Sequence, residues 1–236
     1  MPRRRILTER QRSALLDLPI DESSLLKHYT LADEDIEHIH ARRRPHNRFG
    51  FALQLCALRY PGRILLPGEI IPEEVTRFLA AQLGLNLDDL LEYASREETR
   101  HEHLAALRQL YGYRAFTGQG ARELKLWLVD QAKDARSNDD LARRFVEECR
   151  RTQIIVPAIS TIERQCADAL VAAERKIEEA ISSRLDYEAR ARLDALLVDM
   201  VDSHLSRFVW LRQFEPGKNS ADVNRLLDRL DFLQNL

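Results

Sequence analysis

The chain has 236 residues, of which 44% are hydrophobic and 31% are charged, and its formal net charge is −2. This length suits one large domain or two smaller ones with a real core, and the near-neutral total excludes a global attraction to nucleic acid. Glycine and proline number 8 each, so helices meet few breakers and the composition favours an all-α protein. No apolar run approaches the roughly 20 residues of a membrane span, and three widely spaced cysteines without a CxxC motif favour reduced thiols. We therefore expect a cytoplasmic protein with no membrane partner.

The basic residues are concentrated in the first quarter of the chain. Residues 1–63 hold 12 Lys/Arg against 8 Asp/Glu. A local patch of this kind can bind phosphate even when the whole protein is slightly acidic. The sequence pattern of this quarter predicts short helices over about 9–18, 22–28 and 32–42.

One apolar helix with a basic beginning follows these short helices. Pro45 suits a first helical turn, Pro61 and Gly62 stop the helix, and the apolar run between them predicts that most of it is buried. The free N–H groups and partial positive charge at a helix N-terminus suit a phosphate; the alternative is a core helix with a solvated basic end. The polar residues at this end, here named the basic cluster, are Arg42, Arg43, Arg44, His46, Asn47 and Arg48.

The middle of the chain contains further helical patterns and then the most regular helix. Ser160 and Glu163 are its predicted capping box, and an apolar stripe runs from Ile162 to Ile181 at helical spacing. With the preceding helix it forms a loose helix-turn-helix arrangement, because the connection over 151–159 is longer than usual; a plain helical hairpin is the alternative. Four polar residues off the stripe, here named the polar cluster, are Ser160, Thr161, Arg164 and Gln165. The earlier helices are predicted over about 72–83, 88–93 (short), 96–111 (capped by Ser95), 120–133 and 137–150.

The last region is predicted to hold a long helix over about 186–214, a break at 215–217 and a final helix with a leucine seam. A seam without a following partner indicates the front part of a longer protein, or an oligomer that buries the seam. The sequence thus divides into a basic N-terminal helical module, a second helical module and a helical connector toward further C-terminal domains. These three parts cover residues 1–65, 70–185 and 186–236.

Motifs for catalysis are absent from the sequence. It contains no Walker loop, GxGxxG or GxSxG. The pairs His38/His40 and His101/His103 are two residues apart, which on a helix places their side chains about 200° apart, so neither pair chelates one ion. We expect this chain to be no enzyme and to have no catalytic residue, no metal ligand and no cofactor of its own.

Several segments of the chain, taken in order, resemble one family. They are HNRFGFALQL at 46–55, RYPG at 59–62, AQL at 81–83, REETRHEHL at 96–104, YRAF at 113–116 and IVPAISTIER at 155–164. This ordered set resembles the N-terminal region of the replicative, cointegrate-forming transposases of class II bacterial transposons, the Tn-three family. The resemblance covers most of the chain, from Met1 to about Leu236.

The resemblance implies an all-helical region that recognises double-stranded DNA at the transposon's terminal inverted repeats. In a much longer parent polypeptide it would be followed by dimerisation and DDE catalytic parts, and the catalytic part would use Mg²⁺. The predicted DNA-binding residues are the basic cluster, the polar cluster, Arg100 and Arg114, while residues 3–5 form an arginine arm or a tail. The alternative is a stand-alone helical interaction or regulatory protein that self-associates through its C-terminal helices or interferes with a full-length transposase.

Overall fold

The computed structural model describes residues 7–87, 97–198, 206–212 and 220–234. Within these ranges the secondary structure is helical, apart from isolated bridges such as the one between Arg114 and Ile154. The all-α fold class is confirmed. The helices are α1 Glu9–Leu16, α2 Glu22–Tyr29, α3 Asp33–His40, α4 Pro45–Arg59, α5 Glu73–Leu83, α6 Glu97–Tyr111, α7 Gly118–Ala132, α8 Asn138–Arg151, α9 Ile159–Arg184, α10 Tyr187–Ala195, α11 Arg207–Arg212 and α12 Ser220–Gln234.

Four features predicted from the sequence lie outside the described residues. They are the arginine arm at 3–5, the short helix over 88–93, the cap at Ser95 and the break at 215–217. No helix in the described part of the chain is both long and apolar enough to cross a membrane.

The first core cluster surrounds α4. Every residue from Phe49 to Leu58 is buried, which confirms the burial predicted from its apolar run. Helices α2, α3, α5 and α6 pack around it. Burying a side chain such as Phe49 or Phe51 contributes roughly 1.5–3 kcal/mol, so α4 is the main support of this half of the protein.

A buried polar network fixes α3 and α6 against α4. Asp35 is only 2% exposed; its Oδ1 accepts hydrogen bonds from Arg59 at 2.6 Å and from the Tyr111 hydroxyl at 2.9 Å. Its Oδ2 accepts a bond from the backbone N–H of Ala32. Burial raises the pKa of this carboxyl, but the hydrogen bonds from Arg59, Ala32 and Tyr111 together lower it by more. The net pKa is therefore below the usual value. Asp35 is therefore a buried, ionised and satisfied carboxylate.

The second core cluster is formed by α7, α8 and α9 together with residues of α1. Leu141, Phe145, Val146 and Cys149 of α8 are buried, as their spacing predicts. The stripe of α9 is buried from Ile162 only as far as Ala173, since Ile177 and Ile181 are 43% and 55% exposed. The predicted apolar stripe is therefore buried only along the first half of α9.

The connection between α8 and α9 is an extended, hydrogen-bonded segment rather than a free turn. The N–H groups of Ile154, Ile155 and Val156 donate to the carbonyls of Cys149, Arg114 and Gly62, each at 2.8 Å. Ile155 packs in the first core cluster, whereas Ile154 and Val156 pack in the second. This connection segment, residues 152–158, thus joins the two clusters.

Contacts divide the chain into two compact units, residues 1–174 and 175–236. Within the first unit, one core cluster contains side chains from both sides of residues 65–70, so the division into modules 1–65 and 70–185 stays a prediction. In the second unit, the predicted single helix over 186–214 is wrong. The first helix there ends at Ala195, because the carbonyl of Leu196 accepts a hydrogen bond from the distant N–H of Phe208 instead of continuing a helical ladder.

Candidate nucleic-acid interface

The N-terminal end of α4 has no side-chain cap, unlike the N-terminal ends of four other helices. Side chains of Thr8, Asp21, Ser137 and Asp186 cap α1, α2, α8 and α10. The N-cap of α4, Arg44, makes no side-chain capping bond, and the first turn contains a proline and no acidic residue. The partial positive charge of this helix end is therefore not offset locally.

Two arginines of the basic cluster are held in place by the protein itself. The guanidinium carbon of Arg42 lies 4.6 Å from the centre of the Phe51 ring, and its Nε is buried without a hydrogen-bond acceptor in the described part of the chain. Arg48 donates from its Nε to the backbone carbonyl of Arg42 at 2.8 Å. Both cations are thus oriented before any ligand arrives.

His103 packs against the Phe51 ring on which Arg42 lies. It is 4% exposed, and its ring meets the Phe51 ring edge-on at 5.2 Å. Burial, with a smaller effect of the nearby Arg42 charge, lowers the pKa of His103 to about 4. The imidazole is therefore neutral at pH 7 and adds no second charge beneath Arg42.

The remaining members of the basic cluster differ in accessibility. Arg43 and Arg44 are exposed and form no ion pair with any residue that the structure describes. Asn47 is half-buried. His46 is 9% exposed and engaged with the rest of the chain, which leaves the arginines and Asn47 as the accessible groups.

The polar cluster at the beginning of α9 is only partly accessible. Ser160 and Arg164 are exposed and Thr161 is half-buried. Gln165 is 5% exposed, so this member of the polar cluster is buried although it lies off the apolar stripe. The helix presents a wider face to the core than the apolar spacing alone indicates, and Gln165 lies on that face.

The predicted capping box of Ser160 and Glu163 is wrong. The helix already begins at Ile159, and Oε1 of Glu163 accepts hydrogen bonds from the backbone N–H of Leu7 and from Arg12. The Arg12–Glu163 ion pair is short, at 2.7 Å, and its side chains are 17% and 13% exposed. Glu163 therefore anchors α1 to α9 instead of capping its own helix.

Arg100 and Arg114 mainly brace the fold. Arg100 donates to the carbonyl of Leu65 at 2.6 Å, and Arg114 donates to the carbonyl of Thr152 at 3.2 Å. Each guanidinium has further donors, so a second contact to DNA stays open to both.

Sequence reasoning missed Arg12, because no local pattern links it to a carboxylate 151 residues away.

These arrangements are suited to anion binding. The arginines are charged at any working pH, and their planar guanidinium groups bind phosphate or a guanine edge with two hydrogen bonds. In the described part of the chain, no group of three or more His, Cys, Asp or Glu side chains is placed to hold a metal ion.

Comparison with known proteins gives a consistent set of matches. A family model described as "Domain of unknown function (DUF4158)" matches residues 6–169. The transposases for transposons Tn3926 and Tn21, both from Escherichia coli, are 39% and 37% identical to the chain over 236 residues. The transposase for transposon Tn1546 of Enterococcus faecium is 31% identical over 99% of the chain. In each case the match covers 24% of the relative, so the chain spans about a quarter of the length of these curated relatives.

Proposed function

We propose, from the premise that this chain belongs to the DUF4158 family and is related over its length to transposases of the Tn-three family, that it recognises transposon DNA. Its ligand is double-stranded DNA at the terminal inverted repeats, and its role is to place a longer transposase on those ends. The observation that carries the proposal is the N-terminal end of α4, an uncapped helix end surrounded by oriented arginines.

The basic cluster is suited to hold the DNA backbone. Arg43 and Arg44 are exposed beside a helix end that presents partial positive charge. Arg42 and Arg48 are held by Phe51 and by the backbone. Phosphate contacts position a protein on the duplex without reading sequence, and they make the affinity depend on salt.

The polar cluster is suited to read bases. Arg164 and Ser160 are exposed near the N-terminal end of α9, and residues at this end of a helix contact base edges in helix-turn-helix proteins. Gln165 and His46 are buried and are left out of the proposed contact surface. Arg100 and Arg114 are secondary candidates.

We assign the catalytic step to other parts of the polypeptide. The relatives are about four times longer than the match, and strand transfer with its Mg²⁺ belongs, in this proposal, to the part that the match does not cover. This chain supplies recognition through its two proposed helical modules, 1–65 and 70–185.

A second candidate function is self-association through the last helix. Leu226, Leu227, Leu230 and Leu233 of α12 are 43–51% exposed, and a row of this kind is usual where helices pair. A chain that paired in this way without binding DNA would fit a regulatory role.

The test is fluorescence anisotropy with two labelled duplexes, the terminal inverted repeat of the host element and a scrambled duplex of equal composition. Binding is measured at low and at physiological salt. We expect tighter binding to the repeat at both salt concentrations, by at least 10-fold, because specific complexes gain base contacts beyond the phosphate contacts.

Two other outcomes are distinct. Equal and steeply salt-dependent binding to both duplexes would contradict repeat recognition and leave only a basic surface. Concentration-dependent dimerisation with no binding to either duplex, measured by sedimentation, would favour the regulatory candidate.

A further inference from the structure

A second group of cations lines a cleft between α2 and α8. The cleft has a volume of about 450 Å³. Neither wall carries any residue of the basic cluster or the polar cluster. Its lining residues are Ser23, Ser24, Lys27, His28, Tyr60, Glu147 and Arg150.

Arg150 is held firmly on the wall of this cleft. Its guanidinium carbon lies 4.8 Å from the centre of the Tyr60 ring. Its aliphatic part passes over Gly62, where an added Cβ would lie 2.8 Å from Arg150 Cγ. Gly62 also has φ +103°, a conformation that favours glycine. The backbone at Gly62 therefore leaves room for the arginine stem.

The aromatic wall of the cleft is already occupied. The His28 ring stacks on Tyr60 with centroids 4.5 Å apart and planes at 11°, and Arg150 packs on the same ring. Burial first, then the charges of Lys27 and Arg150, lower the pKa of His28. At pH 7 His28 is thus a neutral group with one N–H donor, and Tyr60 has little free face on which a base could stack.

The charges in the cleft favour an anion. Lys27 is exposed, Arg150 is half-buried, and neither forms an ion pair with a carboxylate in the described part of the chain. Asp21 does not line the cleft, and its Oδ1 accepts hydrogen bonds from the Ser23 hydroxyl at 2.7 Å and the Ser24 N–H at 2.9 Å. Glu147 is the carboxylate that opposes an anion.

We propose that this cleft binds a phosphate of the DNA backbone, held by Lys27 and Arg150 with His28 as a further donor. Two cations and an N–H donor match a single phosphate group, while a free nucleotide would find no open aromatic face at Tyr60. The inference rests on the proposed function and deepens it, because it adds a phosphate contact outside the basic cluster and the polar cluster.

The test compares two pairs of charge-matched variants in the anisotropy assay, on the repeat and on the scrambled duplex. Lys27→Gln is compared with Lys125→Gln, an exposed lysine on α7. Arg150→Gln is compared with Arg151→Gln, the neighbouring arginine that is paired with Glu148. Since Lys27 is exposed, its variant should fold normally, and thermal unfolding of all four checks this.

We expect Lys27→Gln and Arg150→Gln each to weaken binding to both duplexes by roughly five- to tenfold at about 0.1 M salt. The salt slope should become shallower by about 1, the value for one lost phosphate contact. Lys125→Gln and Arg151→Gln should stay within about twofold of the unsubstituted chain.

Equal affinities for Lys27→Gln and Lys125→Gln would overturn the cleft as a DNA contact. A shift of the His28 NMR signals with inorganic phosphate, combined with unchanged DNA binding in the variants, would also overturn it and assign the cleft to a free anion. Loss of repeat preference in the unsubstituted chain, with the Lys27 effect retained, would overturn repeat recognition and keep the cleft.

Discussion

The basic cluster at α4 and the polar cluster at α9 both stand at helix N-terminal ends, but the protein holds them differently. At α4, Arg42 lies on the buried ring of Phe51 and Arg48 is bonded to the backbone. At α9, the carboxylate of Glu163 is engaged by Arg12, while Arg164 and Ser160 extend into solvent. The first end is supported by its own core and the second by another helix.

In the proposed function, this difference separates two tasks in recognition. Oriented arginines above a core can bind a backbone of constant shape with little loss of entropy. Exposed side chains on a helix whose backbone is anchored can adjust to base edges. The comparison therefore predicts that damage to the two ends has different consequences for stability, affinity and sequence preference.

The largest effect is expected from Phe51→Ala, which removes the support of the basic cluster. Phe51 is fully buried, and loss of such a ring costs about 3–5 kcal/mol in free energy of unfolding. Urea denaturation measures this change. Val171→Ala on α9, where the side chain is 66% exposed, is the matched control and should change stability by less than about 0.5 kcal/mol. Similar losses of stability in the two variants would contradict the difference between the two helix ends.

The next effect is on DNA affinity, in the double variant Arg43→Ala/Arg44→Ala. Two lost phosphate contacts should weaken binding to any duplex by about 60-fold at about 0.1 M salt and reduce the salt slope by about 2. The double variant Arg122→Ala/Arg184→Ala removes the same charge from exposed positions elsewhere. If the two double variants bind equally, net charge rather than the basic cluster determines affinity.

Arg164→Ala should alter sequence preference more than general affinity. A lost base contact costs about 1–3 kcal/mol on the correct sequence, so binding to the repeat should weaken while binding to the scrambled duplex changes little. The control is Arg184→Ala, at the other end of the same helix. An equal loss on both duplexes would reassign Arg164 to phosphate contact.

The smallest effect is a pH dependence confined to the α4 side. The pKa of His103 is about 4 in the folded protein against about 6.5 when unfolded, so its contribution to stability is present above pH 6.5 and is lost as the pH falls toward 4. Between pH 7 and 5.5 the free energy of unfolding should fall by about 1 kcal/mol. The pKa of Asp35 lies below its usual value, so Asp35 contributes stability that is lost only at more acidic pH.

Urea unfolding at both pH values checks this dependence, with His103→Gln as the comparison. In this variant the free energy of unfolding should depend much less on pH. Hydrogen exchange at pH 5.5 should increase in α4 before it increases at the start of α9. An unchanged dependence of the free energy of unfolding on pH in His103→Gln would show that another group titrates.

Helix positions followed from sequence where a local signal exists. The boundaries of α5 and α8 follow from Gly84 and Ser137, whose effects act over a few residues. The burial of α4 follows from its unbroken apolar run. All of these depend on neighbours in the chain, which a sequence displays directly.

Long-range contacts were not accessible in the same way. Glu163 has the spacing of a capping residue, but Arg12 and Leu7 compete for its carboxylate across the fold. Gln165 reads as polar surface, yet it is buried. Lys27 and Arg150 belong to separate helical patterns, and only folding brings them to one cleft. For Glu163 and for the cleft, the deciding neighbour lies far away in the sequence.

The connection segment between α8 and α9 fixes how far apart the two clusters stand. Its backbone bonds to Gly62 and Arg114 keep the start of α9 from swinging relative to the end of α4. In the proposed complex with DNA, a frame of this kind would require the two contacted stretches to keep both their helical phase and their separation. Two modules joined by a flexible linker would tolerate an insertion of one full turn of DNA, about 10 bp, between the two contacted stretches. In the proposed complex, this rigid frame would lose one of its two DNA contacts after an insertion of about 5 bp and equally after one of about 10 bp.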